Sequence, residues 1–135
     1  MYLADTNVIS ELMRPQPDSG VWGWMDSLAP VGARVGVSAV TVDELIFGLT
    51  RRPRAVAFVK FERWIGLCKV VPVDEAIARR AGELRAVLSL RGQVRSQPDM
   101  LIAATAQVHA LTLVTRNVRD FDGCGIAVLN PFEGG

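Results

Sequence analysis

The chain is expected to fold as an α/β protein, with a mainly parallel sheet covered by helices on both faces. Three observations predict this. Short apolar or β-branched runs alternate with stretches of helical periodicity, polar junctions separate the two, and no internal repeat, low-complexity tract or long linker interrupts the alternation. Strand, helix and parallel strand connect by right-handed crossovers, so repeated units of this kind build one sheet. A length of 135 residues suits a single domain over 1–135, with a core large enough to fold without disulfide or metal staples.

Taken in order, Met1-Tyr2-Leu3-Ala4 reads as a strand, Asp5-Thr6-Asn7 as a polar junction, and Val8, Ile9, Leu12 and Met13 as the apolar face of a helix. Pro15-Gln16-Pro17 is a turn inside the domain. The β-branched run from Arg34 to Val42 predicts a second strand leading into helical Asp43-Glu44-Leu45-Ile46-Phe47-Gly48-Leu49. A helical stretch around Ala55 to Leu67 precedes a short strand over Lys69 to Val73 and a helix over about Asp74 to Leu90. After a loop from Gly92 to Pro98, Pro98 opens an alanine-rich helix through Leu101, Ile102, Ala104 and Val108. Leu111 to Thr115 is a strand, Asn117 to Phe121 a helical turn, and Ile126 to Leu129 the last strand.

Composition narrows the function classes. Hydrophobic residues make up 50% of the chain, yet no apolar run approaches the roughly 20 residues needed to cross a bilayer. The first ten residues carry Asp5 and Asn7 where a secretory signal would be apolar. A soluble, cytoplasmic protein is expected. Cys68, Cys124 and the single His109 lack the spacing of a disulfide framework or a zinc site, and the cysteines read as ordinary buried thiols. The net charge of +1 offers no overall attraction to nucleic acid, but 13 of the 15 basic residues are arginine, grouped as Arg51-Arg52-Pro53-Arg54 and Arg79-Arg80. The planar guanidinium fork suits phosphate, while a solvated helix face explains such pairs as well.

Four acidic residues stand apart by position. Asp5, Glu44 and Asp120 just follow expected strands, and Asp99 begins an expected helix. In a parallel sheet the carboxyl ends of the strands share one edge, where ligands bind, so residues distant in sequence converge there. Each has a plainer explanation: Thr41-Val42-Asp43-Glu44 fits a capping box, Asn117-Val118-Arg119-Asp120 resembles one, Asp99 after Pro98 favours the helix dipole, and Asp5 caps the helix that follows it. As a set, four carboxylates at one edge repel one another unless a cation offsets them. Without a His or Cys cluster, Mg²⁺ or Mn²⁺ is the matching ion, and phosphodiester hydrolysis the matching chemistry. Asn7, Thr115 and Asn117 share that edge, with Asn117 open to a capping role. Asp43 points about 100° from Glu44 on a helix, Glu11 and Asp122 are reserves, His109 is structural or superficial, and Trp22 and Trp24 read as core or interface packing.

These residues resemble the PIN-domain nucleases, specifically the bacterial VapC and FitB-like toxins. The resemblance rests on Leu3 to Leu12, on Glu44-Leu45 with Gly48-Leu49, on Asp99 with Ile102 to Ala106, on Thr115 to Phe121, and on the ending Val128-Leu129-Asn130-Pro131-Phe132. It implies a PIN-like three-layer fold whose central parallel sheet of about five strands is flanked by helices. It further implies a metal-dependent endoribonuclease with Asp5, Glu44, Asp99 and Asp120 as the metal-binding quartet, supported by Asn7 and Thr115. A metal-activated water would leave a 5′-phosphate and a 3′-hydroxyl. By the same resemblance the toxin forms a homodimer, and a cognate VapB-like antitoxin inserts an arginine into the site and makes any DNA contact. The stretch from Arg85 to Gln97 stays unassigned between RNA choice and antitoxin fit. Two other readings are a PIN-like binding module without catalysis and a Mg²⁺-binding phosphoacceptor domain. The latter needs a lysine after a late strand, whereas Lys60 and Lys69 lie elsewhere.

Overall fold

The computed structural model describes residues 1–32 and 34–134; Ala33 and Gly135 lie outside the described residues. In chain order the elements are β1 (Tyr2–Ala4), α1 (Thr6–Leu12), α2 (Ser19–Leu28), β2 (Val35–Ser38), α3 (Ala39–Arg51), α4 (Ala55–Leu67), β3 (Lys69–Val71), α5 (Glu75–Leu90), α6 (Gln97–Val108), β4 (Thr112–Val114), a 3₁₀ turn (Val118–Phe121) and β5 (Val128–Leu129). The strands form one sheet in the order β3-β2-β1-β4-β5, and every neighbouring pair is parallel.

Side chains alternate across a strand, and in β1 and β4 both faces are buried. Leu3 and Leu113 pack into one core with Ile77, Leu84 and Leu88 of α5 and Met100 and Ile102 of α6. Ala4, Val37 and Val114 pack into the other with Val8 and Ile9 of α1, Val21 of α2, Leu45 of α3 and Phe61 of α4. Two helices therefore cover one face and four the other, which is the three-layer arrangement expected from the alternating pattern.

Local chemistry sets the helix starts. Asp5, Asp18, Ser38, Asp74 and Ser96 accept backbone N–H groups at the starts of α1, α2, α3, α5 and α6, whereas Arg54 before α4 makes no side-chain cap. At the far end of α5, Gly92 takes φ 78°, its N–H reaches Ser89 O at 2.9 Å and that of Gln93 reaches Leu88 O at 2.8 Å. That is a Schellman closure, and it turns the chain back toward α6.

Several boundaries depart from expectation. The β-branched run to Val42 is strand only as far as Ser38, whose hydroxyl caps a helix already under way at Ala39. Thr41 and Glu44 are therefore not a capping box; both lie inside α3. Asn117 likewise makes no side-chain cap on its turn. Helix α2, absent from the expected elements, follows the Pro15–Pro17 turn and is pinned to the C-terminal tail, because Asp18 Oδ1 also accepts Glu133 N at 3.1 Å. Cys124 is buried as expected, while Cys68 is only half-buried, though burial still pushes its thiol up to about 11.

Candidate active site

The strand order reverses between β1 and β4: one half of the sheet grows outward from β1 through β2 and β3, the other through β4 and β5. Beyond the carboxyl ends of two such strands, diverging connections leave a crevice. Asp5 follows β1 and Thr115 follows β4, so both stand at this crevice.

Asp5 is 4% exposed and tightly held. Its Oδ1 accepts the Thr6 backbone N–H at 2.8 Å, and its Oδ2 accepts the Thr115 hydroxyl at 2.8 Å and the Asn7 amide at 3.1 Å. The Asn7 amide also reaches Thr115 Oγ1 at 3.2 Å, while its carbonyl oxygen accepts Arg116 N at 3.1 Å. Thr115 Oγ1 in turn accepts the Asn117 backbone N–H at 3.0 Å. Asn7 and Thr115 thus tie the ends of β1 and β4 together around the Asp5 carboxylate. Asn117 takes part through its backbone.

Glu44 comes from the second turn of α3, later than a position directly after a strand. Its Oε1 accepts the Thr6 hydroxyl at 2.6 Å, and Thr6 also meets the Thr41 hydroxyl at 3.0 Å. The Asp5-Thr6-Asn7 junction was legible as a polar block, yet the hydrogen bonds of Thr6 to Glu44 and Thr41 were not singled out by residue type alone. Asp99 lies in the first turn of α6, its backbone N–H donating to Ser96 Oγ at 3.2 Å; Pro98 occupies the second helical position, after Gln97. Asp120 sits on the 3₁₀ turn after β4.

The electrostatics show which of these groups share a field. Burial, above all, holds the Asp5 acid above its ordinary range; hydrogen bonds from Thr115 and Thr6 pull it down, and the Asp99 and Glu44 charges push it up. Burial again leads for Asp99, opposed by the Ser96 hydrogen bond and reinforced by the charges of Asp120 and Glu44, with Arg95 pulling the other way. The four predicted carboxylates are therefore linked by repulsion, Glu44 and Asp99 acting on Asp5, and Asp120 and Glu44 on Asp99. As placed, no three acidic, His or Cys side chains among the described residues already enclose an ion. The donors are nevertheless oxygens throughout. That set fits a hard cation that takes one or two carboxylates and keeps its waters.

Of the reserves, Glu11 has a structural task of its own. Glu11 is buried, accepting Asp18 N at 2.9 Å and pairing with Arg14 at 3.3 Å, so it braces the link from α1 to α2. Asp43 and Asp122 are exposed, and His109 ends α6 away from its N-terminus. Trp24 packs edge-on against Tyr2 at 5.6 Å, and Trp22, half-exposed, against Trp64 at 5.9 Å. The cation following β4 is Arg116, stacked over Phe132 at 4.8 Å; a phosphoacceptor site would need lysine there.

The model of the PIN domain family matches residues 2–123. This chain is a PIN domain. It is 37% identical over 140 residues to Toxin FitB of Neisseria gonorrhoeae, with 98% of this chain and 99% of that protein covered. It is 34% identical to VapC ribonuclease Y4jK of Sinorhizobium fredii, again with 98% and 99% covered. Among solved structures it is similar to FitAcB from Neisseria gonorrhoeae, with TM-score 0.84, 38% identity, and 97% of this PIN domain and 98% of that chain covered. The three-layer parallel fold agrees with that likeness.

Proposed function

We propose that this PIN domain is the toxin of a toxin–antitoxin pair and a metal-dependent endoribonuclease. In this reading Asp5, Glu44, Asp99 and Asp120 hold the metal and surround the reacting phosphate, and Asn7, Thr115 and Asn117 support them. The observation that carries it is the convergence of carboxylates from four separate elements beside a switch point of a parallel sheet: burial first, and then the charges of Glu44 and Asp99 on Asp5 and of Asp120 and Glu44 on Asp99, raise the two acids. Gathering like charges in a part-buried crevice costs stability unless a cation arrives to offset them. The toxin and ribonuclease names of the two relatives point the same way.

Mg²⁺ or Mn²⁺ bound there would polarise a phosphoryl oxygen and supply a nucleophilic water near neutral pH. The chain's own part is to fix its ligands. Asp5 Oδ2 spends both lone pairs on Asn7 and Thr115, and Oδ1 spends one on Thr6 N, so one Oδ1 lone pair is left in a set direction. Thr6 orients Glu44 in the same way. Holding ligands in place before the reaction lowers the cost of reorganisation during it.

The chain is read as one domain over 1–135, working in the cytoplasm as a homodimer. A VapB-like antitoxin would block the acidic site with an arginine and make any contact to DNA. Among the described residues no helix is long and apolar enough to cross a membrane. Purified protein freed of its partner is expected to cleave RNA with Mg²⁺ or Mn²⁺, and to stop on chelation or in Asp5→Asn. Cleavage that survives both EDTA and Asp5→Asn would sink the metal mechanism.

A further inference from the structure

A groove of about 560 Å³ opens beside the acidic site and shares Thr6 and Glu44 with it. Its other charged lining residues are all cations: Arg14 just after α1, Arg52 at the end of α3, Arg54 at the start of α4 and Lys60 within α4. Four cations against Glu44 leave a formal +3 in this groove, on a chain whose net charge is only +1. Arg14 is partly engaged by Glu11 at 3.3 Å. Arg52, Arg54 and Lys60 have no salt bridge among the described residues. The start of α4 adds backbone donors, since no side chain caps it.

We propose that this groove is a backbone-phosphate subsite for the RNA strand, in which Arg52, Arg54 and Lys60 hold phosphates flanking the bond cut at the acidic site. The proposal rests on the ribonuclease reading above and specifies on which side of Glu44 the strand runs. A polyanion cannot approach an acidic crevice on carboxylates alone, and cations contiguous with it supply the offsetting field. Guanidinium forks bind phosphate in pairs of hydrogen bonds without reading sequence. That suits a positioning surface and gives the Arg51-to-Arg54 cluster a task that helix solvation does not.

The test uses a labelled single-stranded RNA of about 12 nucleotides and the cleavage-silent Asp99→Asn protein, with anisotropy followed as salt is raised. Adding Arg52→Ala, Arg54→Ala and Lys60→Ala should weaken binding at least tenfold at 0.1 M salt. The slope of log affinity against log salt should fall by about 2, near 0.7 for each lost phosphate contact on a single strand. A control carrying Arg34→Ala, Lys69→Ala and Arg79→Ala removes the same charge from the position before β2, the start of β3 and α5 and should keep the steeper slope. In the otherwise wild-type protein the groove variant should raise KM while kcat changes less than threefold. Equal losses in groove and control variants, or an unchanged slope in the groove variant, overturn the proposal while leaving the ribonuclease reading intact. Loss of antitoxin binding with RNA affinity unchanged would make the groove a protein-docking site and overturn it as well. Failure of the wild-type protein to cleave any RNA removes the reading beneath it.

Discussion

Asp5 shows how one residue serves two ends. As the N-cap of α1 it stabilises a helix, and as a buried carboxylate it carries a desolvation cost that Thr115 and Thr6 reduce without cancelling. Thr115 is fully buried and its hydroxyl is the strongest of those offsets, so Thr115→Val should destabilise the protein by about 1 to 3 kcal/mol, measured by urea unfolding. It should also lower cleavage, because Asp5 is then held only by Thr6 and Asn7. Asp99 makes the opposite forecast. Its folded-state pKa lies above the unfolded value of 3.8, so the folded protein binds that proton more tightly. Stability then falls as pH rises from 3.8 through the raised value, and the full penalty is present at pH 7. In EDTA at pH 7, Asp99→Asn should be more stable than wild type, the lost helix-dipole contribution reducing the gain without reversing it. Thermal unfolding near pH 3.5 should show no such gain. A variant that is more stable and inactive marks a residue kept for chemistry.

At the level of elements, α3 shows why a β-branched run misleads. Val40, Thr41 and Val42 favour strands as types, yet Ser38 offers its hydroxyl to Val40 N at 3.0 Å and starts the helix early. The early start is what carries Thr41 and Glu44 round to meet Thr6. Helix α2 depends on the tail in a similar way. A Cβ on Gly20 would run into the Pro131 carbonyl oxygen and lie 2.8 Å from Glu133 N, both backbone atoms that yield only if the tail moves. Gly20→Ala should therefore cost about 2 kcal/mol despite its better helix propensity, whereas Gly23→Ala on the same helix, with open space around it, should not. Differential scanning calorimetry of the pair separates tail docking from propensity.

At the scale of the whole molecule, the order β3-β2-β1-β4-β5 decides what meets what. Residues 5, 44, 99 and 120 come from connections separated by tens of residues, and only the reversal between β1 and β4, with α6 packed across the sheet, brings them into one field. The proposed toxicity belongs to that assembled site. Expression of the protein without a partner should arrest bacterial growth, and Asp99→Asn should restore it to the empty-vector rate; arrest that persists in this variant would place the toxicity outside the acidic site.

Much was legible in the sequence because its signals are local. Apolar period and polar junctions marked the layers, and the positions of Asp5, Glu44, Asp99 and Asp120 at element starts marked the edge where a ligand would sit. What the sequence could not settle was anything whose partner is distant. Glu44 read as half of a capping box until Thr6, 38 residues away, appeared as its hydrogen-bond donor, and Glu11 stood as a reserve until Asp18 N engaged it. Helix α2 stayed hidden although its Asp18 cap is local, because Gly20 and Gly23 lower its intrinsic helix propensity; the tail that pins it lies 115 residues on. Sequence by itself determined the alternation of elements and the supply of oxygen donors, since both follow from residue type and spacing. The tertiary structure decided which carboxylates share a field and that Arg52, Arg54 and Lys60 line a groove beside them. Charge interactions depend on distance and burial, and neither exists until the sheet is assembled.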